Sequence, residues 1–190
     1  DLPSGARAQP IIQVPSATNA YAAMQGAGNF HLFSGRTGIQ LQGAGNYIVV
    51  MGLDFYGAQR DPGNGAYVGN ANLADGTAGI SITAGKIGVL VEDVHIRWMN
   101  NGIGGQDIFD INIRRNQVDH CYGPVIKQGL GIFTTGAIGG AISPGLSIEE
   151  NVLDLCGYDD AAFTMGNSRD RNAYIQNDAV FGNRRGNTST

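Results

Sequence analysis

Apolar and polar residues alternate over short runs along this chain, and one longer pattern occurs three times. The pattern is an apolar residue, two charged residues, a turn position, one variable residue and a second apolar residue. Its copies begin at Val91, Ile113 and Ile148, and a weaker copy lies in residues 48–55. Repeats of this kind predict a solenoid, in which successive copies of one structural unit stack on each other.

The period inside each copy predicts β-strands. Apolar residues alternate with polar ones at a spacing of two, the runs are short, and β-branched residues are frequent in them. A second short strand precedes each copy. Its isoleucine is expected to point inward in one stacked column, formed by Ile39, Ile80, Ile103 and Ile132. Parallel strands joined by non-helical turns form a β-helix, so the predicted structure is all-β with little or no α-helix.

Two of the copies carry a resemblance to a known family. Residues 145–154 (Gly-Leu-Ser-Ile-Glu-Glu-Asn-Val-Leu-Asp) and 111–119 (Ile-Asn-Ile-Arg-Arg-Asn-Gln-Val-Asp) resemble coils of the pectate-lyase-like superfamily, and residues 47–56 are similar to another coil. The resemblance covers most of residues 39–181. It implies a right-handed parallel β-helix, or β-solenoid, of roughly six to seven coils with loop insertions. The matching residues are stacking positions, so they indicate a fold and do not indicate a substrate.

The composition favours one turn-rich domain over residues 1–190. The chain has 190 residues, 30 of them glycine, and only 15% of its residues are charged. The last residues are polar and contain no recognisable capping element. Because solenoids need covered ends, we expect either a fragment of a longer solenoid or ends that are covered by another chain or by oligomerisation.

Charge and hydropathy narrow the expected partners. The net charge is −4 at pH 7, which argues against nucleic acid because phosphate contacts need a basic surface. No apolar run approaches the length that crosses a membrane, so no membrane partner is expected. The resemblance implies a polysaccharide as the partner and an extracellular or cell-surface location.

The candidate catalytic residues are Asp119, His120 and Lys127. Residues 118–121 resemble the Trp-Ile-Asp-His segment of pectate lyases. In that family, β-elimination needs a base for the proton beside the uronate carboxyl group and a cation that neutralises this carboxylate. The sequence departs from the family because Gln117 stands in place of the tryptophan and no Arg-x-x-Pro-x-x-Arg follows. The alternatives are a His120 that is packed or hydrogen-bonded at the edge of a coil and an ordinary exposed loop lysine.

Other candidates lie in the loops. Asp159 and Asp160 form a carboxylate pair that could bind Ca²⁺ or serve in hydrolysis, and a solvated loop pair is the alternative. The Gly-His-Gly and Arg-Ile-Lys tripeptides of polygalacturonase-like hydrolases do not occur, so a lyase is favoured over a glycoside hydrolase. Substrate contacts are predicted for two aromatic and two basic residues, namely Tyr122, Tyr158, Arg169 and Arg171.

The long variable segments are expected to gather on one side of the solenoid. Residues 59–78, 123–131 and 157–171 all leave the repeat at comparable positions, after its third strand. Stacked repeats would therefore place them side by side as a groove wall, and loops on a rigid scaffold often carry function. The competing hypothesis is structural: a non-catalytic β-solenoid shaft, or a carbohydrate-binding segment, of a spike, fibre or adhesin.

Several polar columns have structural interpretations. Asn116 and Asn151 are predicted to form a hydrogen-bonded ladder along the stack. Cys121 and Cys156 share a column, so they are either disulfide-bonded or packed as two buried thiols. The charged positions are interpreted as cross-strand ladders, one containing Glu92, Arg114 and Glu149 and the next containing Asp93, Arg115 and Glu150.

Overall fold

Short strands follow one another through the described chain, as the period-two alternation predicts. The computed structural model describes residues 11–13, 25–26, 30–32, 37–41, 46–69, 78–123, 129–135, 145–158, 171–176, 183–185 and 188–189. The first strands are β1 (Ile11–Gln13), β2 (Gln25–Gly26), β3 (Phe30–Leu32), β4 (Thr37–Leu41), β5 (Ile48–Met51), β6 (Asp54–Tyr56), β7 (Ala78–Ile82), β8 (Ile87–Glu92) and β9 (His95–Arg97). The later strands are β10 (Asn101–Gln106), β11 (Phe109–Arg114), β12 (Gln117–Asp119), β13 (Leu130–Thr135), β14 (Ser147–Glu149), β15 (Val152–Asp154), β16 (Arg171–Gln176), β17 (Asn183–Arg185) and β18 (Thr188–Ser189).

Helix is nearly absent from this described part of the chain. A single 3-10 turn, Ala58–Arg60, follows β6. Among the described residues, no helix is long and apolar enough to span a membrane. The prediction of an all-β chain is confirmed for the ranges that the structure describes.

The described strands form three sheets through which the chain passes in a fixed order. Sheet A contains β1, β6, β9, β12, β15 and β18, sheet B contains β2, β3, β4, β7, β10, β13 and β16, and sheet C contains β5, β8, β11, β14 and β17. From β4 onward the chain runs from sheet B to sheet C to sheet A and back again. These passages are β4–β6, β7–β9, β10–β12, β13–β15 and β16–β18, here called repeats 1 to 5.

Successive repeats pair in parallel in all three sheets. This arrangement is consistent with the predicted parallel β-helix. One local feature differs from the prediction, because β2, β3 and β4 pair in antiparallel fashion. The sequence pattern of this segment is too irregular to predict that reversal.

Columns of apolar side chains from the three sheets make one core. In sheet B, the predicted column of Ile39, Ile80, Ile103 and Ile132 is confirmed by the strand register, and all four residues are buried. In sheet C, Val91, Ile113 and Ile148 stack as predicted, with Val50 beside Val91. In sheet A the column consists of Phe55, Ile96, Val118 and Leu153. Strand periodicity explains these columns because alternate residues of each strand face the same side.

The predicted asparagine ladder occupies the turn between sheets C and A. The side-chain oxygen of Asn116 accepts a hydrogen bond from the Val94 amide at 3.0 Å, and its Nδ2 donates to the Val91 carbonyl at 3.0 Å. The same Nδ2 donates to Oδ1 of Asn151 at 2.9 Å, and Asn151 donates to the Ile113 carbonyl at 2.9 Å. Both asparagines are buried, so the ladder satisfies backbone groups that water does not reach.

The charged columns are confirmed in part, as ion pairs between repeats 2 and 3. The strand register also places Glu149 beside Arg114. Arg114 Nη2 donates to Glu92 Oε2 at 3.0 Å, and Arg115 Nε donates to Asp93 Oδ1 at 3.1 Å. Arg115 also contacts the buried carboxylate of Glu92. These contacts join consecutive repeats on the outer side of the stack.

Cys121 and Cys156 are free thiols, and both are buried. Of the two expected states, the structure therefore contains the packed thiols. Burial, together with the nearby Cys156 thiol, raises the pKa of Cys121 well above its ordinary value. A protonated, buried thiol behaves as a small apolar side chain in the core.

Candidate functional site

Titratable side chains gather on the outer face of sheet A. The middle residue of each three-residue strand points into the core, so the first and third residues face outward. Strand register aligns these outward residues into two rows. The first row consists of Asp54, His95, Gln117 and Val152, and the second consists of Tyr56, Arg97, Asp119 and Asp154.

The carboxylate of Asp119 lies between two histidines. His95 Nε2 is 2.6 Å from Asp119 Oδ2, and His120 Nδ1 is 2.6 Å from Asp119 Oδ1. Gln117 Nε2 donates a further hydrogen bond to Oδ2 at 3.3 Å. The Asp119 side chain is only 9% exposed, whereas each histidine side chain is 27% exposed. The carboxylate is thus held inside while both imidazoles reach the surface.

The two contacts assign the tautomers of the neutral imidazoles. An ionised carboxylate only accepts hydrogen bonds, so His95 carries its proton on Nε2 and His120 carries its proton on Nδ1. The second nitrogen of each ring, Nδ1 of His95 and Nε2 of His120, then carries a lone pair that can accept a proton. This is the arrangement in which a carboxylate orients a histidine for proton transfer.

The surroundings of Asp119 lower its pKa. Burial by itself raises the pKa of this carboxyl group, but the hydrogen bonds from His95 and His120 and their positive charge outweigh burial. The net effect is a pKa below the ordinary value, so the group is ionised near neutral pH.

We expect Asp119 to make the free energy of unfolding depend on pH in acid. Because its folded pKa is below the unfolded value of about 3.9, its stabilisation is present above about pH 4 and is lost as the pH falls through the folded pKa. Urea unfolding of the unchanged protein and of Asp119→Asn from about pH 7 to pH 3 measures this effect. The difference between the two proteins should shrink below about pH 4; a constant difference would contradict the assignment.

A second polar cluster lies beside this one. Arg97, whose strand position is in register with Asp119, donates from Nη2 to Asp54 Oδ2 at 2.9 Å, and its guanidinium carbon is 4.9 Å from the Tyr56 ring centroid. The Tyr56 hydroxyl donates to Asp61 Oδ2 at 2.5 Å and accepts from Asn64 Nδ2 at 2.9 Å. Burial and the hydrogen bond to Asp61 raise the pKa of Tyr56. The cluster therefore presents a guanidinium group next to the histidine pair.

Aromatic rings connect the histidine pair to the loop that follows β6. The Trp98 and His120 ring centroids are 4.3 Å apart, and the Trp98 and Tyr122 rings meet edge to face at 6.2 Å. Arg60, in the loop of residues 57–69, lies over the Tyr122 ring at 4.5 Å. A Cβ atom at Gly57 would lie 2.1 Å from the Trp98 carbonyl oxygen, so glycine permits the close approach of this loop. The loop therefore packs against the turn at Trp98 and against the Tyr122 ring.

The structure brings together two of the predicted catalytic residues, Asp119 and His120. Tyr122 is fully buried, and burial raises its pKa, so its ring offers no face on which a sugar could stack. Tyr158 is half-buried and pairs with Tyr122 through a parallel bridge. Arg171 begins β16, and its side chain lies outside the described residues.

Other predicted site residues lie outside the described residues altogether, namely Lys127, Asp159, Asp160 and Arg169. Most of residues 123–131 and 157–171 also lie outside the described residues, so the groove wall predicted from these segments stays a prediction. Within the described ranges, no group of three or more His, Cys, Asp or Glu side chains is arranged to hold a metal ion.

His95 and Arg97 were not predicted from the sequence. They lie in repeat 2, whereas Asp119 lies in repeat 3 and the predicted catalytic residues lie close to it along the chain. The available signal was the repeat itself, since aligning Ile96 with Val118 places His95 beside Gln117 and Arg97 beside Asp119. The strand register therefore identifies these spatial neighbours, whereas proximity along the chain does not.

No family model matches the chain, and no curated protein or solved structure shows significant similarity to it. The resemblance to pectate-lyase-like proteins consequently rests on the repeated pattern and on the parallel sheets. Any activity has to be argued from the site itself.

Proposed function

We propose that this chain is a polysaccharide-active protein with a right-handed parallel β-helix of roughly six to seven coils, and that it cleaves an acidic polysaccharide by β-elimination. The observation that supports this proposal is the buried Asp119 carboxylate between two partly exposed histidines. The reaction needs a base that accepts the proton from the carbon beside the uronate carboxyl group. A carbon–carbon double bond then forms as the bond to the leaving sugar oxygen breaks, and that oxygen takes up a proton.

The proposed roles follow from the geometry. His95 Nδ1 or His120 Nε2 accepts the proton, because the opposite nitrogen of each ring faces the Asp119 carboxylate. Asp119 fixes both rings and stabilises the imidazolium that forms. Arg97 supplies positive charge for the substrate carboxylate, and its side chain is 31% exposed.

Two further groups belong to the proposal although they lie outside the described residues. Lys127 is a second candidate for binding or deprotonating a uronate. Asp159 and Asp160 are the candidate ligands of a Ca²⁺ ion, since carboxylate oxygens suit this ion, which would add positive charge for the substrate carboxylate. A protein of this kind acts outside the cell or at the cell surface.

The proposal is tested by incubating the protein with a panel of acidic polysaccharides and following the absorbance of the unsaturated product. With a substrate that is cleaved, Asp119→Asn is expected to lower the rate by about 10²- to 10⁴-fold because it removes the orienting partner. The one of His95→Gln and His120→Gln that removes the base is expected to have an effect of the same size, about 10²- to 10⁴-fold. Lys127→Ala tests the loop lysine, and Arg114→Ala on sheet C is the control that keeps the rate. Absence of unsaturated product with every uronate polymer would exclude the lyase.

A non-catalytic solenoid shaft or carbohydrate-binding segment is the second candidate, and one observation favours it. The ion pair between Asp54 and Arg97 joins the first residue of one sheet A strand to the third residue of the next strand in that sheet. The pair of His95 and Asp119 occupies the same two strand positions one repeat later. The histidine contact is then one rung of a stacking ladder. Binding of a polysaccharide without product would favour the binding segment, and neither binding nor product would favour the shaft.

A further inference from the structure

Arg60 is buried, although it belongs to a surface loop and carries a permanent charge. It is 3% exposed, and its guanidinium donates to the backbone carbonyl of Tyr122, which lies 62 residues further along the chain. The Tyr122 hydroxyl donates in return to the Arg60 carbonyl. The guanidinium also lies 4.5 Å from the centroid of the Tyr122 ring. Three contacts therefore join a loop of repeat 1 to the segment that follows sheet A in repeat 3.

A continuous series of ring contacts leads from Arg60 to the histidine pair. The edge of one ring meets the face of the other between Tyr122 and Trp98, at 6.2 Å, with an interplanar angle of 86°. Trp98 then packs against the His120 ring at 4.3 Å, with an interplanar angle of 31°. His120 in turn reaches Asp119 through Nδ1. The plane of the His120 ring is thus set on one side by the carboxylate and on the other by Trp98.

The left-handed backbone at these positions belongs to the repeat, since Leu155 adopts it at the equivalent position of repeat 4. Trp98 has φ of 58° and His120 has φ of 55°, in the left-handed region that bulky residues rarely adopt. Such conformations persist where surrounding contacts determine them. The packing of the Tyr122 ring against Trp98 is one contact of this kind.

We infer that Arg60 is a positioning residue for His120, acting through Tyr122 and Trp98. Burial of a guanidinium is costly, and an apolar side chain of similar size is often as stable or more stable at such a place. A purely structural role would not require the planar, hydrogen-bonding guanidinium that holds both the ring and the backbone of Tyr122. The inference rests on the proposed function only in that His120 is taken as part of the reacting site.

The test is the tautomer of His120, measured by ¹⁵N chemical shifts at a pH where the ring is neutral. In the unchanged protein His120 is expected to carry its proton on Nδ1, as the contact with Asp119 requires. In Arg60→Met the released Tyr122 and Trp98 rings should allow the His120 ring to rotate, so a substantial fraction should convert to the Nε2-protonated form. His95 contacts Asp119 through Nε2 and should keep its tautomer.

Tyr122→Phe is the second variant, because it removes only the hydroxyl group that donates to Arg60. It should shift the His120 tautomer in the same direction by a smaller amount. Arg114→Met, which removes an arginine from sheet C, is the matched control and should leave the His120 signal unchanged. A folded Arg60→Met protein with an unchanged His120 tautomer would overturn the inference. If Arg60→Met does not fold, an unchanged tautomer in Tyr122→Phe has the same meaning.

This measurement needs no substrate, so it separates the positioning inference from the lyase proposal. If a substrate is cleaved, Arg60→Met should lower kcat by about tenfold or more while changing KM little, because a misoriented base affects the transition state. If Arg60→Met lowers kcat while His120 keeps its tautomer, Arg60 does not act by positioning His120, and the inference is wrong. If the His120 tautomer changes and no substrate is cleaved, the positioning role is supported and the lyase proposal fails.

Discussion

Asn116→Ala is expected to lower the free energy of unfolding by about 2–5 kcal/mol, since a buried polar group that loses its partner costs about 1–3 kcal/mol. The change removes the acceptor of the Val94 amide, in the buried turn between sheets C and A, and the donor to the Val91 carbonyl near the end of β8. It also removes the amide contact with Asn151, which continues the ladder into repeat 4. Chemical denaturation followed by circular dichroism measures the loss.

Asn112→Ala is the matched control for this prediction. Asn112 lies on the same repeat, in β11, at an outward and partly exposed position. The same change of side chain there should alter the free energy of unfolding by no more than about 0.5 kcal/mol, as for most surface substitutions. Equal losses in the two variants would show that the ladder contributes nothing beyond an ordinary asparagine.

Ile113→Ala is expected to cost about 2–5 kcal/mol through a different cause, the cavity left in a packed core. Ile113 is fully buried, and its strand neighbours in the column are Val91 above and Ile148 below. Their backbones are fixed by the parallel ladder, so they cannot move into the gap. The same denaturation experiment gives the value.

Arg114→Ala is the control for the cavity, since it changes the next residue of the same strand. The Arg114 side chain is 45% exposed, and its partner Glu92 keeps its contact with Arg115. The expected loss is about 0–1 kcal/mol, typical of an exposed ion pair. If the two substitutions cost the same, the inward and outward faces of β11 have been assigned incorrectly.

The sequence by itself determined the strands, the inward columns and the asparagine ladder. A strand faces alternate sides at every second residue, so the positions of Ile39, Ile80 and Ile103 already indicate one face. Repetition then places equivalent residues above one another, and this is why the sequence alone predicts the pairing of Asn116 and Asn151. These features depend on local periodicity together with one repeat, and both can be recognised in the sequence.

The tertiary structure alone decided which outward residues form the candidate site. His95 and Asp119 meet because they are the first and third residues of neighbouring strands in sheet A, a diagonal contact that side-chain packing selects. Arg60 and Tyr122 meet across 62 residues because the loop of residues 57–69 folds back against the turn at Trp98. Loop paths and the choice between neighbouring partners depend on packing of the whole fold. The periodicity of the sequence therefore does not predict the loop paths or the choice of partners.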